Sequence, residues 1–210
     1  MAGRRSKQRV SAAAALPAAR QRRRNMFWMA GGAGAVIIVL VVIVALSVNN
    51  GSSSSAATAS NFPNFDFKLY QGERVLGAEE LEFAQLQGRP IVLNFWAGLC
   101  PPCRAEMPGF QRFYDDNKDD VILLGIDVGR FTGLGNKRDA RNLLQELGVS
   151  YPAGYTNDRS VVRDYSVRTM PTTVFINSSG EVVQNWSGAM DEATLRALVD
   201  ALLIEEKETS

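Results

Sequence analysis

Both cysteines of the chain lie in one four-residue run, Cys100-Pro101-Pro102-Cys103, at the point where an apolar strand pattern, Ile91-Val92-Leu93-Asn94-Phe95-Trp96, gives way to a helical one. A helix starting at Cys100 turns its unsatisfied N–H groups and the positive end of its dipole toward the sulfur, which favours the nucleophilic thiolate. Cys103 then sits one turn further on, within reach of a disulfide. The placement points to redox chemistry. The 210 residues include no histidine, so the usual metal ligand, the usual general base and every Ser-His-Asp or Cys-His arrangement are excluded. Without a second Cys or His pair the Cys-x-x-Cys run is not half of a zinc site, and no metal or cofactor is expected.

The net charge of +1 hides an asymmetry. Residues 1–25 hold eight Lys or Arg and no acid, leaving 15 basic and 22 acidic residues, a net of −7, for the rest. The basic excess is local, and no nucleic-acid surface is indicated. Met26 to Val48 carries no charge, and a helix of that length, at 1.5 Å per residue, is roughly 35 Å long, enough to cross a hydrocarbon core of about 30 Å. We read 26–48 as a single transmembrane signal anchor. Phe27 and Trp28 stand at its interface end, and residues 1–25 form a basic cytoplasmic tail that directs the remainder outward. A cleaved signal peptide is the competing reading, since Ala57-Thr58-Ala59 has the small-x-small pattern of a cleavage site, but the apolar run is much longer than a signal-peptide core. Residues 49–61, rich in Ser and Ala, read as a flexible linker.

From Phe62 the pattern is globular. Phe65, Phe67 and Leu69 alternate as in a half-buried strand, residues 78–87 read as weakly helical, and Pro90 to Trp96 read as a buried central strand. The cysteine helix extends to about Asn117, with a kink or break expected at Pro108. A second buried strand over Val121 to Val128, a Gly-rich loop and a helix over about Asp139 to Leu147 follow. Val161 to Tyr165 reads as a short helix or turn. Thr172 to Ile176 and Glu181 to Trp186 flank the hairpin signal Asn177-Ser178-Ser179-Gly180, and Asp191 caps a last helix with Leu195, Leu198, Val199 and Leu202 on one face. The order predicts an α/β domain over 62–205, a mixed central sheet flanked by helices, with a short tail at 206–210.

This order with Cys-Pro-Pro-Cys resembles the thioredoxin fold. Asn94-Phe95-Trp96-Ala97, Cys100 to Pro108 and Met170-Pro171-Thr172-Thr173 further resemble the membrane-anchored TlpA/ResA-like thiol-disulfide oxidoreductases, many of which serve cytochrome c maturation. The resemblance implies that Cys100 attacks a substrate disulfide and that Cys103 resolves the mixed disulfide. It implies that Glu106, which also lies at i+3 from Cys103 on the helix, exchanges protons with Cys103, a solvated helix position being the plainer alternative. Asn94 stands where ordinary thioredoxins place a buried Asp. Met170-Pro171 matches the cis-proline loop, which in the family lies beside the cysteines and pairs with an extended substrate. Trp96, Leu99 and Pro101 join it as expected substrate-contacting positions, with core packing the alternative for Trp96. The family commonly has Trp where this chain has Leu99, so substrate preference does not transfer.

The partners implied are a disulfide-containing protein, apocytochrome c among the candidates, and a membrane protein that donates electrons. The rival direction is an oxidase, which needs an electron acceptor instead. A structural disulfide is the blander reading, but so short a loop gains only about 2 kcal/mol from closure. A membrane-tethered binding module gripping partners at Pro171 is a further alternative, one that loss of both thiols would leave working. A peroxiredoxin would need Thr at position 97, where Ala97 stands, and a copper carrier of this fold would add a histidine.

Overall fold

The computed structural model describes residues 62–209, with side chains to residue 207. The predicted basic tail, membrane span and linker lie outside the described residues. Within them no helix is long and apolar enough to cross a membrane.

Seven strands form one mixed sheet: β1 (Asp66–Gln71), β2 (Glu80–Glu82), β3 (Ile91–Trp96), β4 (Ile122–Asp127), β5 (Ala153–Tyr155), β6 (Thr172–Ile176) and β7 (Val182–Ser187). Their spatial order is β2-β1-β5-β4-β3-β6-β7. β3, β4 and β5 run parallel, while β6 and β7 on one side and β1 and β2 on the other are antiparallel additions. The helices are α1 (Glu73–Leu76), α2 (Pro101–Asn117), α3 (Gly129–Thr132), α4 (Lys137–Leu147), α5 (Ser160–Asp164) and α6 (Glu192–Thr209), with a 3-10 turn over Phe83–Leu86.

Every residue of β3 and β4 is buried, as a parallel centre covered on both faces requires. The period-2 alternation of β3 divides two cores. Val92 and Trp96 pack with Cys103, Met107 and Phe110 of α2, Leu143 of α4 and Leu195 of α6. Ile91, Leu93 and Phe95 face the opposite layer of Phe65, Phe67, Phe83, Val161 and Tyr165. The second layer is largely aromatic, with Phe65 stacked on Phe83 at 4.9 Å between ring centroids.

Most sequence expectations match these elements within one or two residues at their ends, and Asp191 does cap the last helix through a 2.8 Å bond accepted from the Thr194 N–H. Three expectations need correction. Residues 78–87 are not a helix: Glu80 and Glu82 pair across to Lys68 and Asp66 of β1, and only Phe83–Leu86 turns. Strand pairing there supplies partners that local propensity cannot anticipate. Pro108 does not break α2, which continues to Asn117, because Met107 and Phe110 are locked in the core and Gly109 lies against Glu192 of α6. β5 was absent from the pattern. Its Ala-Gly-Tyr has little strand character, and Gly154 is required because a Cβ there would lie 2.3 Å from the Lys68 carbonyl oxygen.

Candidate active site

The site is assembled where β3 ends. Cys100 is the extended residue that caps α2, and its Sγ accepts the Cys103 N–H at 3.2 Å. Pro101 and Pro102 occupy the first two helical positions, where a missing N–H costs no intrahelical bond. Cys100 and Cys103 are joined in a disulfide. Both are buried, at 2% and 0% exposure, whereas Leu99 beside them is 61% exposed and Pro101 and Pro102 lie at the surface.

The turn before the helix is clamped from the side. The Leu99 N–H donates to the Leu134 carbonyl at 2.8 Å, and Gly98 lets the start of α4 close in, since a Cβ there would lie 2.5 Å from the Ala140 nitrogen. The Asn136 side chain caps α4 by accepting the Arg138 and Asp139 N–H groups. The cysteine turn is therefore positioned by an element more than 30 residues away in sequence.

Sheet register brings in Pro171. Phe95 pairs with Thr172, so the preceding residue of antiparallel β6 falls level with Trp96, at the sheet end from which the cysteine turn departs. The Met170–Pro171 bond is cis. Met170 is half-buried against the core that contains both cysteines, and Pro171 is buried. The Pro171 carbonyl accepts the Gly188 N–H at 2.9 Å.

Glu106 lies beneath the disulfide turn, on the buried side of α2 at 4% exposure. One carboxylate oxygen accepts from Asn94 Nδ2 at 2.9 Å and the other from the Met190 N–H at 3.0 Å. Burial pushes this carboxyl up to about 7, against the two hydrogen bonds, which favour the charged form. A group so poised exchanges protons near neutral pH. A second buried carboxyl, Asp127, pairs with Trp96 in the register and was not singled out from the sequence. It accepts from the Tyr70 hydroxyl at 2.9 Å and the Gly129 N–H at 2.8 Å, and burial raises its proton affinity as well.

Trp96 requires a correction. It was expected to meet a substrate, yet its exposure is 0% and it packs in the layer beneath α2, where a Cβ on Gly125 would come 2.8 Å from its ring nitrogen. Its bulk fills the site's floor, the core-packing alternative, while Leu99, Pro101 and Met170 retain exposed surface. Sequence reasoning did not assign Thr173 or the Met190 N–H a role. Met190 has no sequence signal at all, since every residue but proline supplies a backbone N–H. Among the described residues no group of three or more His, Cys, Asp or Glu side chains is placed to hold a metal ion.

Comparison with known proteins agrees with this geometry. The model of the AhpC/TSA family matches residues 58–185. The chain belongs to the AhpC/TSA family. It is 32% identical over 152 residues to the thiol-disulfide oxidoreductase ResA of Bacillus subtilis, covering 72% of this chain and 78% of that protein. Among solved structures it resembles StoA from Bacillus subtilis, with a TM-score of 0.54 and 24% identity over 65% of this chain and 96% of that one. It also resembles a secreted Mycobacterium tuberculosis disulfide oxidoreductase homologous to E. coli DsbE, with a TM-score of 0.53 and 26% identity over 66% of this chain and 96% of that one. This family member is a ResA-like thiol-disulfide oxidoreductase with a thioredoxin-like α/β fold and a Cys100–Cys103 pair.

Proposed function

We propose that this oxidoreductase reduces protein disulfides outside the cytoplasm while held to the membrane by a single helix over 26–48. Cys100 is the attacking sulfur. Its thiolate forms a bond to one sulfur of the substrate disulfide, and the electron pair of the broken bond leaves on the other. Cys103 then loses its proton to Glu106 and attacks Cys100, so the substrate leaves as a dithiol and the protein as a disulfide. Leu99, Pro101 and Met170 form the rim against which an extended substrate lies, with the buried Pro171 beneath it.

The observation that carries the exchange chemistry is the buried Glu106 carboxyl, held one turn beyond Cys103 and raised to about 7, a proton acceptor fitted to the resolving step, and the reductive direction follows the resemblance to ResA-like proteins. The charge-free run 26–48 and the arginines before it support the anchor and its orientation. Recharging requires a membrane protein that carries electrons to the outer side. Apocytochrome c is the substrate that the resemblance to ResA-like proteins suggests.

The test is the equilibrium reduction potential of the Cys100/Cys103 pair, titrated against glutathione and dithiothreitol buffers. A value near or below about −220 mV supports the reductase, and a value above about −150 mV makes the protein an oxidant instead. A disulfide that resists reduction and does not exchange would return the pair to a structural role.

A further inference from the structure

Asn94 is buried in the middle of β3 with 0% exposure. Its Nδ2 donates twice, to Glu106 at 2.9 Å and to Thr173 Oγ1 at 3.0 Å, while its Oδ1 has no hydrogen-bond partner among the described residues. A buried orphan acceptor is costly, and an apolar strand residue at this position would avoid it. The amide is thus placed for what its nitrogen end does. The Thr173 hydroxyl on the neighbouring strand, in direct register with Asn94, holds the nitrogen end toward the carboxylate.

We propose that Asn94 is a positioning residue for the resolving step: its amide grips one oxygen of Glu106 and keeps that carboxylate ionised and aimed so that it can take the proton of Cys103. The inference rests on the disulfide-exchange reading given above. In the step concerned the S–H bond of Cys103 breaks, the proton goes to a Glu106 oxygen, and the thiolate forms the Cys103–Cys100 bond as the Cys100–substrate bond breaks, its electron pair leaving on the substrate sulfur. Asn94 changes neither bonds nor electrons. It sets the pH at which Glu106 is charged.

The groups around Glu106 can be named element by element. β3 contributes Asn94, and the segment before α6 contributes the Met190 N–H. Tyr151, fully buried ahead of β5, has a phenol whose ionisation is opposed by its burial and by the charge of Glu106. On α2 itself, Cys103 precedes Glu106 by three residues, Arg104 is paired outward with Glu146, and Arg112 with Glu192. Among the described residues no cation contributes to the carboxyl's proton affinity, in which burial outweighs two N–H donors. Removing one donor therefore has no neighbour to mask it.

The experiment follows the isotope-labelled carboxyl resonance of Glu106 against pH in the oxidised full chain, assigned by its loss in Glu106→Gln. In Asn94→Ala the midpoint should rise by about one pH unit or more, as expected for losing a hydrogen bond to a charged group. Asn94→Asp, which keeps the side-chain shape that Ala removes, should place two carboxyls at hydrogen-bond distance, sharing one proton and titrating in two separated steps. In stopped flow with a small aromatic disulfide, the second of the two thiolate-release phases reports the resolving step, and its pH profile should move with the Glu106 midpoint. An unmoved midpoint in Asn94→Ala, or a single unmoved step in Asn94→Asp, overturns the proposal. So does a slower second phase whose pH profile stays in place, which would make Asn94 merely structural. Because the titration needs no turnover, a chain that titrates as expected yet reduces no protein disulfide would refute the reductase reading alone.

Discussion

Replacing Glu106 by Gln in the oxidised chain removes a buried titratable group while both cysteines remain locked in their disulfide. In the folded chain the Glu106 carboxyl titrates near 7 instead of the ordinary 4.5, so the native state binds the proton more tightly than the unfolded state does. The stability that follows from this is fully present below about pH 4.5 and is lost as pH rises through about 7. Integrated between about pH 5 and about pH 8, the loss is about 2.5 kcal/mol, against a typical domain stability of about 5–15 kcal/mol. Glu106→Gln has no such loss. Its amide leaves one donor facing either Asn94 Nδ2 or the Met190 N–H, a mismatch whose cost does not vary with pH. The assay is urea unfolding of both oxidised proteins across this range, taking the difference in unfolding free energy at each pH so that all other titrating groups cancel. The difference should swing in favour of the Gln variant by about 2.5 kcal/mol from the acid to the alkaline end. A flat difference curve would refute the claim that burial outweighs the two donors at Glu106.

Further outcomes follow from the same geometry. Cys103→Ser should leave the attack by Cys100 intact and block resolution, so a mixed disulfide with a protein substrate should accumulate on a non-reducing gel; its absence would remove Cys100 from the attacking role. Gly154→Ala places a Cβ 2.3 Å from the Lys68 carbonyl oxygen and 3.0 Å from Leu69 Cα, and should lower unfolding free energy by about 1–3 kcal/mol through separation of β1 from β5; wild-type stability in a urea melt would contradict that packing. Asn136→Ala removes both the cap of α4 and one half of its capping box, and should cost about 1 kcal/mol by the same melt, with no loss expected if the helix start were held by Gly98 packing alone.

Much of the site was legible because its signals are local. A cysteine at a strand end, prolines in the first helical turn and an acid three residues beyond Cys103 are short-range facts of one chain segment, and the fully buried β3 and β4 announce themselves as unbroken apolar runs. The Met170–Pro171 loop was reached through resemblance to a family rather than through spacing, since nothing along the chain joins position 171 to position 100. Trp96 was placed at the right end of the right strand, yet a strand pattern does not say how deeply the last residue sinks, and the packing of α2, Gly125 and Tyr151 over it decided that.

One dithiol pair and no imidazole, a strand-to-helix junction at that pair, and an α/β domain after a charge-free run near the N-terminus can all be read along the chain. These depend on composition and on periodicities of two and 3.6 residues, which are properties of neighbouring residues. Folding alone brings Asn94 and the Met190 N–H onto Glu106, sets Thr173 against the Asn94 amide, buries Asp127 as a second acid and makes Ala153–Tyr155 a strand. The contacts that decide them join residues 12 to 87 positions apart, and such pairings are fixed by sheet register and by burial, neither of which exists until the chain has folded.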